Sequence, residues 1–174
     1  GAISNLIQEM ILGAALAFLV LILFLRDPRY PIAISLAIPI SVITTFGLFH
    51  LAGVSINIMS LGGLELGIGM LVDNSIVVIE NIFRHLASGK SSRDAANDAT
   101  SEIGLAVLAI TASLLAVFLP VAFMKGIVGR FFYQFGLTVS FAVAVSALVS
   151  FTVTPMLASR LLRPHEEGKR PFVL

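Results

Sequence analysis

Apolar residues run along this chain in five long blocks, with polar residues gathered between them. A helix that crosses a ~30 Å hydrocarbon core needs about 20 mostly apolar residues. On that measure the blocks predict five spans, at about 6–25, 31–51, 56–83, 103–124 and 132–159. The first, with MILGAALAFLVLILFL at its centre, stops at Arg26-Asp27-Pro28-Arg29. The second opens on Pro31, which suits a first helical turn because its missing N–H is not needed there. Pro39 lies inside that span and predicts a kink. Pro120 and Pro155 fall near the ends of the fourth and fifth spans. The longest polar connection is RHLASGKSSRDAANDATSE. Its SSRDAANDA portion predicts a short helix outside the membrane, capped by Ser91 or Ser92. The expected fold class is therefore all-α: a five-helix transmembrane bundle over 1–162, a short cytoplasmic helix within it, and a polar cytoplasmic tail over 163–174.

Composition supports the membrane reading. The chain is 57% hydrophobic and 12% charged, where a soluble domain carries about 25% charged residues. A domain of this size exposes too much surface for water to tolerate that balance. There is no cysteine, so disulfides and thiolate metal sites are excluded. A net charge of +1 gives no reason to expect nucleic acid as a partner. The chain starts at Gly1 and enters a helical pattern with no basic leader or small-residue cleavage site, so no signal peptide is read. A piece of a longer protein is expected.

Charge also sets an orientation. Five spans place nine of the eleven basic residues on one side (Arg26, Arg29, Arg84, Lys90, Arg93, Arg160, Arg163, Lys169 and Arg170) and only Lys125 and Arg130 on the other. Basic residues in short loops stay in the cytoplasm. The connections at 26–30 and 84–102 and the C-terminal tail are thus expected to be cytoplasmic.

The third span breaks the apolar pattern, with GMLVDNSIVVIEN at its centre. At about 100° per residue, Gly62, Glu65, Gly69, Asp73 and Glu80 share one face about 80° wide, while Asn74 and Asn81 fall on a different one. At about 1.5 Å per residue, Asp73 lies roughly 15 Å from the end near Phe83, close to the bilayer midplane. Ionisable groups at that depth are costly and often mark ion pathways or proton relays. Burial raises a carboxyl pKa and a nearby cation lowers it, so a group subject to both can exchange protons. Asp73 is the expected proton carrier, against the plainer role of a fixed interhelical bond. Glu80, about two turns nearer the cytoplasm, reads as a second relay group or as a group reaching interfacial water. Glu65 reads as helping to admit protons or as lining a wet crevice. Asn74 and Asn81 read as interhelical hydrogen-bonding groups. Gly62, Gly63, Gly67 and Gly69 read as close-packing positions, since small residues let helix backbones approach.

The remaining intramembrane polar residues are hydroxyls, from Ser41 to Thr154, expected mostly to bond their own helix backbones. No His stands four residues from another, so no metal site is expected, and no catalytic residue or cofactor is read either. LPVAFMKGIVGRFFYQF reads as an interfacial outer loop. LGIGMLVD does not fit an intramembrane aspartyl protease, because Asp73 is not adjacent to the second Gly and no second aspartate is available to share a site.

The run from Gly69 through Asp73 to Glu80 resembles the G-x-x-x-D-x-x-x-x-x-x-E motif of the resistance-nodulation-division (RND) transporters. The flanks LFLRDPRYPIAISLAIPISVITTF, SINIMSLGGLELGIG and SEIGLAVLAITASLLAVFLPVAFMKGIVGRFFYQFGLTVSFAVAVSALVSFTVTPMLASRLLRP extend the resemblance over nearly the whole chain. The resemblance implies transmembrane helices two to six of one half of a longer pump in the bacterial inner membrane. It further implies protons as coupling ion, a Lys from the other half as partner for Asp73, a homotrimer, a periplasmic adaptor and an outer-membrane channel, all within membrane lipid. Many drug exporters of the family have a second Asp where this sequence has Asn74. The metal-exporting branch typically has an Asp six residues before the motif Asp, where this sequence has Gly67. The hydrophobe- and drug-exporting branch is the nearer match. Two alternatives stand beside it: a metal-ion-exporting relative, and a non-transporting lipid- or sterol-binding five-helix module.

Overall fold

The computed structural model describes residues 29–162, apart from the side chains at 29–31, 33, 71 and 72, together with scattered helical positions between 8 and 23. The expected span at 6–25 and tail at 163–174 therefore lie largely or wholly outside the described residues. Four long helices follow in order: α1 (Arg29–Ala52), α2 (Ile58–Ala87), α3 (Ser92–Ala122) and α4 (Gly126–Leu161). Each is long and apolar enough to cross a membrane.

Two boundaries differ from the hydropathy reading. The SSRDAANDA segment is not a separate helix but the first turns of α3, which continues unbroken to Ala122. Hydropathy marks this stretch as a break, yet nothing in it stops a helix. Ser91 caps it by accepting from the Asp94 N–H, and the alanines that follow are the best helix formers. Ala95, Ala96 and Ala99 are buried there, against Val78, Ile79, Ile82 and Leu86 of α2 and Ala158 of α4. The expected outer loop also shortens. Only the turn around Phe123–Lys125 separates α3 from α4, which begins at Gly126, a residue with φ +90° that reverses the chain.

α4 is the centre of the bundle. Of its most apolar stretch 61% is buried, against 17% for α3. Its buried positions are largely small: Gly136, Thr138, Ser140, Ala142, Ser146, Ala147, Ser150, Thr154 and Ala158. Lipid is as apolar as a leucine side chain, so membrane helices associate through close packing rather than hydrophobic exclusion. The small residues of α4 provide it. At Gly63 of α2 an added Cβ would lie 2.9 Å from the Phe135 carbonyl oxygen, and at Gly67 2.3 Å from the Ala142 Cβ. On the far side of α4, Gly136 closes on the Ala122 nitrogen in the same way, at 2.7 Å. The outward face of α3 carries Leu105, Leu108 and Val117, all exposed, as a lipid-facing surface requires.

Two groups stand out among the hydroxyls. Thr44, Thr45, Thr111, Ser140 and Thr152 each donate to the carbonyl four residues back, as expected of Ser and Thr in membrane helices. Ser41, Ser75, Thr138, Ser150 and Thr154 are buried without a hydrogen-bond partner among the described residues.

Candidate functional site on α2

The rotation of α2 about its axis is fixed at four heights. At its N-terminus Asn57 accepts from the Met59 and Ser60 N–H groups and donates its own N–H to Ser60 Oγ, and its side chain reaches Gln134 of α4. One to three turns on, Gly63 and Gly67 seat against α4. Near mid-helix, buried Asn74 donates to Ser146 Oγ at 3.0 Å. At the far end, buried Asn81 donates to the Ala99 carbonyl and to Glu102, both at 3.1 Å. Gly63, Gly67, Asn74 and Asn81 lie within about 40° of one another on the helix. They turn the Asn face inward, and the opposite stripe outward.

That stripe holds the candidate chemistry. Asp73, Glu80 and Gly69 are exposed, and Glu65 and Gly62 are half-buried. Asp73 sits near the middle of α2, roughly 21–23 Å along the axis from either end. Neither Asp73, Glu80 nor Glu65 makes a hydrogen bond or ion pair among the described residues. The structure thus brings Asp73 and Glu80 onto one open face and assigns Asn74 to holding helices together. For the glycines the outcome divides. Gly67 packs closely, but Gly62 and Gly69 face outward, where an added Cβ would meet nothing within 4 Å, so neither seats a neighbour within the described residues.

Beyond the stripe, the junction of α2 and α3 carries a polar network that the sequence reading did not single out. Glu102, the last residue before the apolar stretch that starts at Ile103, accepts from Asn81, from Arg84 at 2.9 Å and from His85 Nε2 at 2.9 Å. Lys90 binds His85 Nδ1 at 3.0 Å and Asp98 at 2.8 Å. An ammonium has only hydrogens to offer, so His85 Nδ1 is the acceptor and Nε2 carries the hydrogen given to Glu102. The His85 hydrogen bond, followed by those of Asn81 and Arg84, pulls the Glu102 carboxyl from 4.5 down to about 2. Lys90 likewise holds Asp98 below its usual value. A depressed carboxyl stabilises above its ordinary pKa and loses that contribution as pH falls through the lowered one. The Glu102 link therefore stays intact at any pH above about 4.5 and fails only toward 2. Replacing Glu102 with Ala is expected to speed amide exchange severalfold at the 88–91 connection without unfolding the bundle, as hydrogen exchange by mass spectrometry would show. The signal in the sequence was a basic pair, Arg84-His85, closing one helix and an acid standing just before the next apolar stretch.

The Asn74–Ser146 bond carries its own expectation. A double-mutant cycle of Asn74→Ala and Ser146→Ala should give a coupling of about 0.6 kcal/mol, the usual size for such bonds in membranes. Reversible unfolding in mixed micelles measures it, and zero coupling would remove this bond as an anchor.

Four membrane-length helices around a small-residue seam, one of them presenting carboxylates at mid-helix, define a multi-pass membrane protein. The profile of the AcrB/AcrD/AcrF family matches residues 1–173. The chain belongs to that family. It is 42% identical over 164 residues to the multidrug resistance protein MdtC of Pantoea ananatis, covering 94% of this chain and 16% of the relative. It is 41% identical over 170 residues to MdtC of Pectobacterium carotovorum subsp. carotovorum, covering 98% and 17%. To MdtC of Yersinia pestis it is 40% identical over 163 residues, covering 94% and 16%. The chain thus spans about a sixth of the length of these relatives.

Proposed function

We propose that this chain is the transmembrane part of one half of a proton-driven exporter of hydrophobic or amphiphilic compounds, drugs included, in which Asp73 carries the proton. One observation carries the reading: a carboxylate at mid-helix, turned away from its own bundle and without a partner among the described residues, in a member of this family. Left ionised in hydrocarbon, such a group is strongly disfavoured. It is relieved either by a proton or by a cation brought alongside, and alternation between the two couples proton movement to a change of shape. No Lys lies within α1–α4, and their arginines stand within about a turn of the helix ends, so the cation comes from another segment. Gly69, open and one turn from Asp73, leaves room for that segment to approach. Glu80 extends the titratable path toward the polar end of α2, and Glu65 widens its wet approach. Asn74 cannot titrate, so one carboxylate carries the cycle.

The MdtC relatives are named as multidrug resistance proteins, which supports drug-like substrates over metal ions. The position where metal exporters resemble one another by an Asp is here Gly67, closed off by Ala142. The distribution of basic residues favours the α2–α3 junction on the cytoplasmic side of a bacterial inner membrane. A homotrimer with a periplasmic adaptor and an outer-membrane channel is the assembly this family reading brings with it. The test uses everted vesicles containing the full-length transporter. An imposed pH gradient should drive uptake of a lipophilic fluorescent dye, and collapsing the gradient should stop it. Uptake that continues after collapse sinks the reading.

A further inference from the structure

A second candidate site lies away from the carboxylate stripe of α2, between α3 and α4. The first turns of α3 and the last turns of α4 run antiparallel and leave a groove of about 450 Å³ between them. Its walls change character along its length. At the polar end stand Arg93, Asp94 and Asn97 of α3. Deeper, toward the middle of the bundle, the lining passes to Phe151, Pro155 and Met156 of α4. The α3 lining ends at Thr100, just short of the apolar stretch that opens at Ile103, so the inner end of the groove reaches the level of the membrane surface. A ligand matching this groove is polar at one end and apolar at the other, and it lies along the bilayer normal.

Charge narrows the choice. The groove holds two charged residues, one cation and one anion, adjacent in sequence. Elsewhere at this end Arg84 is engaged with Glu102 and Lys90 with Asp98, while Arg160 is exposed but does not line the groove. Arg93 is exposed and has no hydrogen bond or ion pair among the described residues. Asp94 gives one oxygen, Oδ2, to the Ser91 hydroxyl at 2.6 Å and keeps the other free. A purely anionic headgroup would satisfy Arg93 but meet Asp94 as a repulsion. A headgroup with a phosphate and a primary ammonium satisfies both, because guanidinium pairs well with phosphate and an ammonium donates to carboxylate. We infer that this groove binds a zwitterionic aminophospholipid, phosphatidylethanolamine in chemical class. Its phosphate lies on Arg93, its ammonium on Asp94, and an acyl chain runs along Phe151, Pro155 and Met156. Phosphatidylcholine is a poorer ligand, because its methylated ammonium has no hydrogen to give Asp94.

The experiment places a reporter in the groove of the full-length transporter. Phe151→Trp adds one indole, read as the difference from the unsubstituted protein in phosphatidylcholine nanodiscs. Brominated phosphatidylethanolamine should quench it at about fivefold lower mole fraction than brominated phosphatidylglycerol or phosphatidylcholine, the worth of one well-placed interfacial charge. Arg93→Ala should abolish the preference. Asp94→Asn should reverse it toward phosphatidylglycerol, because the remaining cation then has no opposing carboxylate. Equal quenching by all three lipids overturns the site, as does a phosphatidylglycerol preference in the protein with Arg93 and Asp94 intact. Met156→Trp offers the same readout should Phe151→Trp impair folding.

Discussion

Asp73→Asn in the full-length transporter is expected to reduce proton-coupled efflux to the level of a strain lacking the protein, with expression unchanged. Asn has nearly the shape of Asp but cannot bind and release a proton at any physiological pH. Asp73 makes no bond within the described residues and faces outward, so its loss removes no internal contact. Substitutions of that kind usually change stability by within about 0.5 kcal/mol. Asp73→Glu keeps the titratable group but moves it outward by one methylene, and partial efflux is expected. Glu80→Gln should lower the rate without abolishing it if, as proposed above, Glu80 extends the path and Asp73 carries the charge exchange. The measurement is dye efflux from energised cells, with membrane abundance checked by immunoblot. Retained efflux in Asp73→Asn at normal abundance would exclude Asp73 as the proton carrier.

Gly67→Val is expected to cost most of the folded protein. An added Cβ at Gly67 would lie 2.3 Å from the Ala142 Cβ, where carbon atoms settle at about 3.5–4.0 Å. The two helices must then separate by more than 1 Å along the seam that fixes the rotation of α2. Overpacking of this kind typically costs about 1–3 kcal/mol, and the added bulk of Val should place it at the upper end. Gly67→Ala should show a smaller loss, and Ala142→Gly on that background should restore it. Gly69→Ala is the control: nothing lies within 4 Å of its added methyl. Thermal melting of purified protein separates these outcomes. Equal melting of Gly67→Val and Gly69→Ala would show that the seam does not hold α2.

Gly67 and Gly69 also show what could be read from the sequence. They are two residues apart, so a helix places them about 160° from one another, on the Asn74 and Asp73 sides respectively. Periodicity separates the faces, and it correctly kept Asp73 and Glu80 apart from Asn74 and Asn81. It does not say which face meets a neighbour, because that depends on Ala142 and Ser146, which are remote in sequence. The same limit hid the Glu102 network. Arg84 and His85 are 17–18 residues from Glu102, and only the hairpin between α2 and α3 brings them together. The continuous α3 was misread for another reason. Hydropathy measures preference for lipid, while helix formation in RDAANDATSE depends on alanines and a serine cap. The four spans within the described residues were legible because apolar length is a local property.

The place of α4 in the chain has a consequence for biogenesis. α4 holds the bundle together but is the last of the four helices to be synthesised. Until its 36 residues emerge, α1, α2 and α3 have no central partner for their glycines and buried hydroxyls. At about 5–20 residues per second, translating α4 takes roughly 2–7 s. During that interval α1 and the hairpin of α2 and α3 lack their central partner, which leaves them open to membrane proteases. Slow codons or a stalled ribosome ahead of Gly126 would lengthen this exposure. Degradation during synthesis, rather than instability of the finished bundle, would then limit how much protein reaches the membrane.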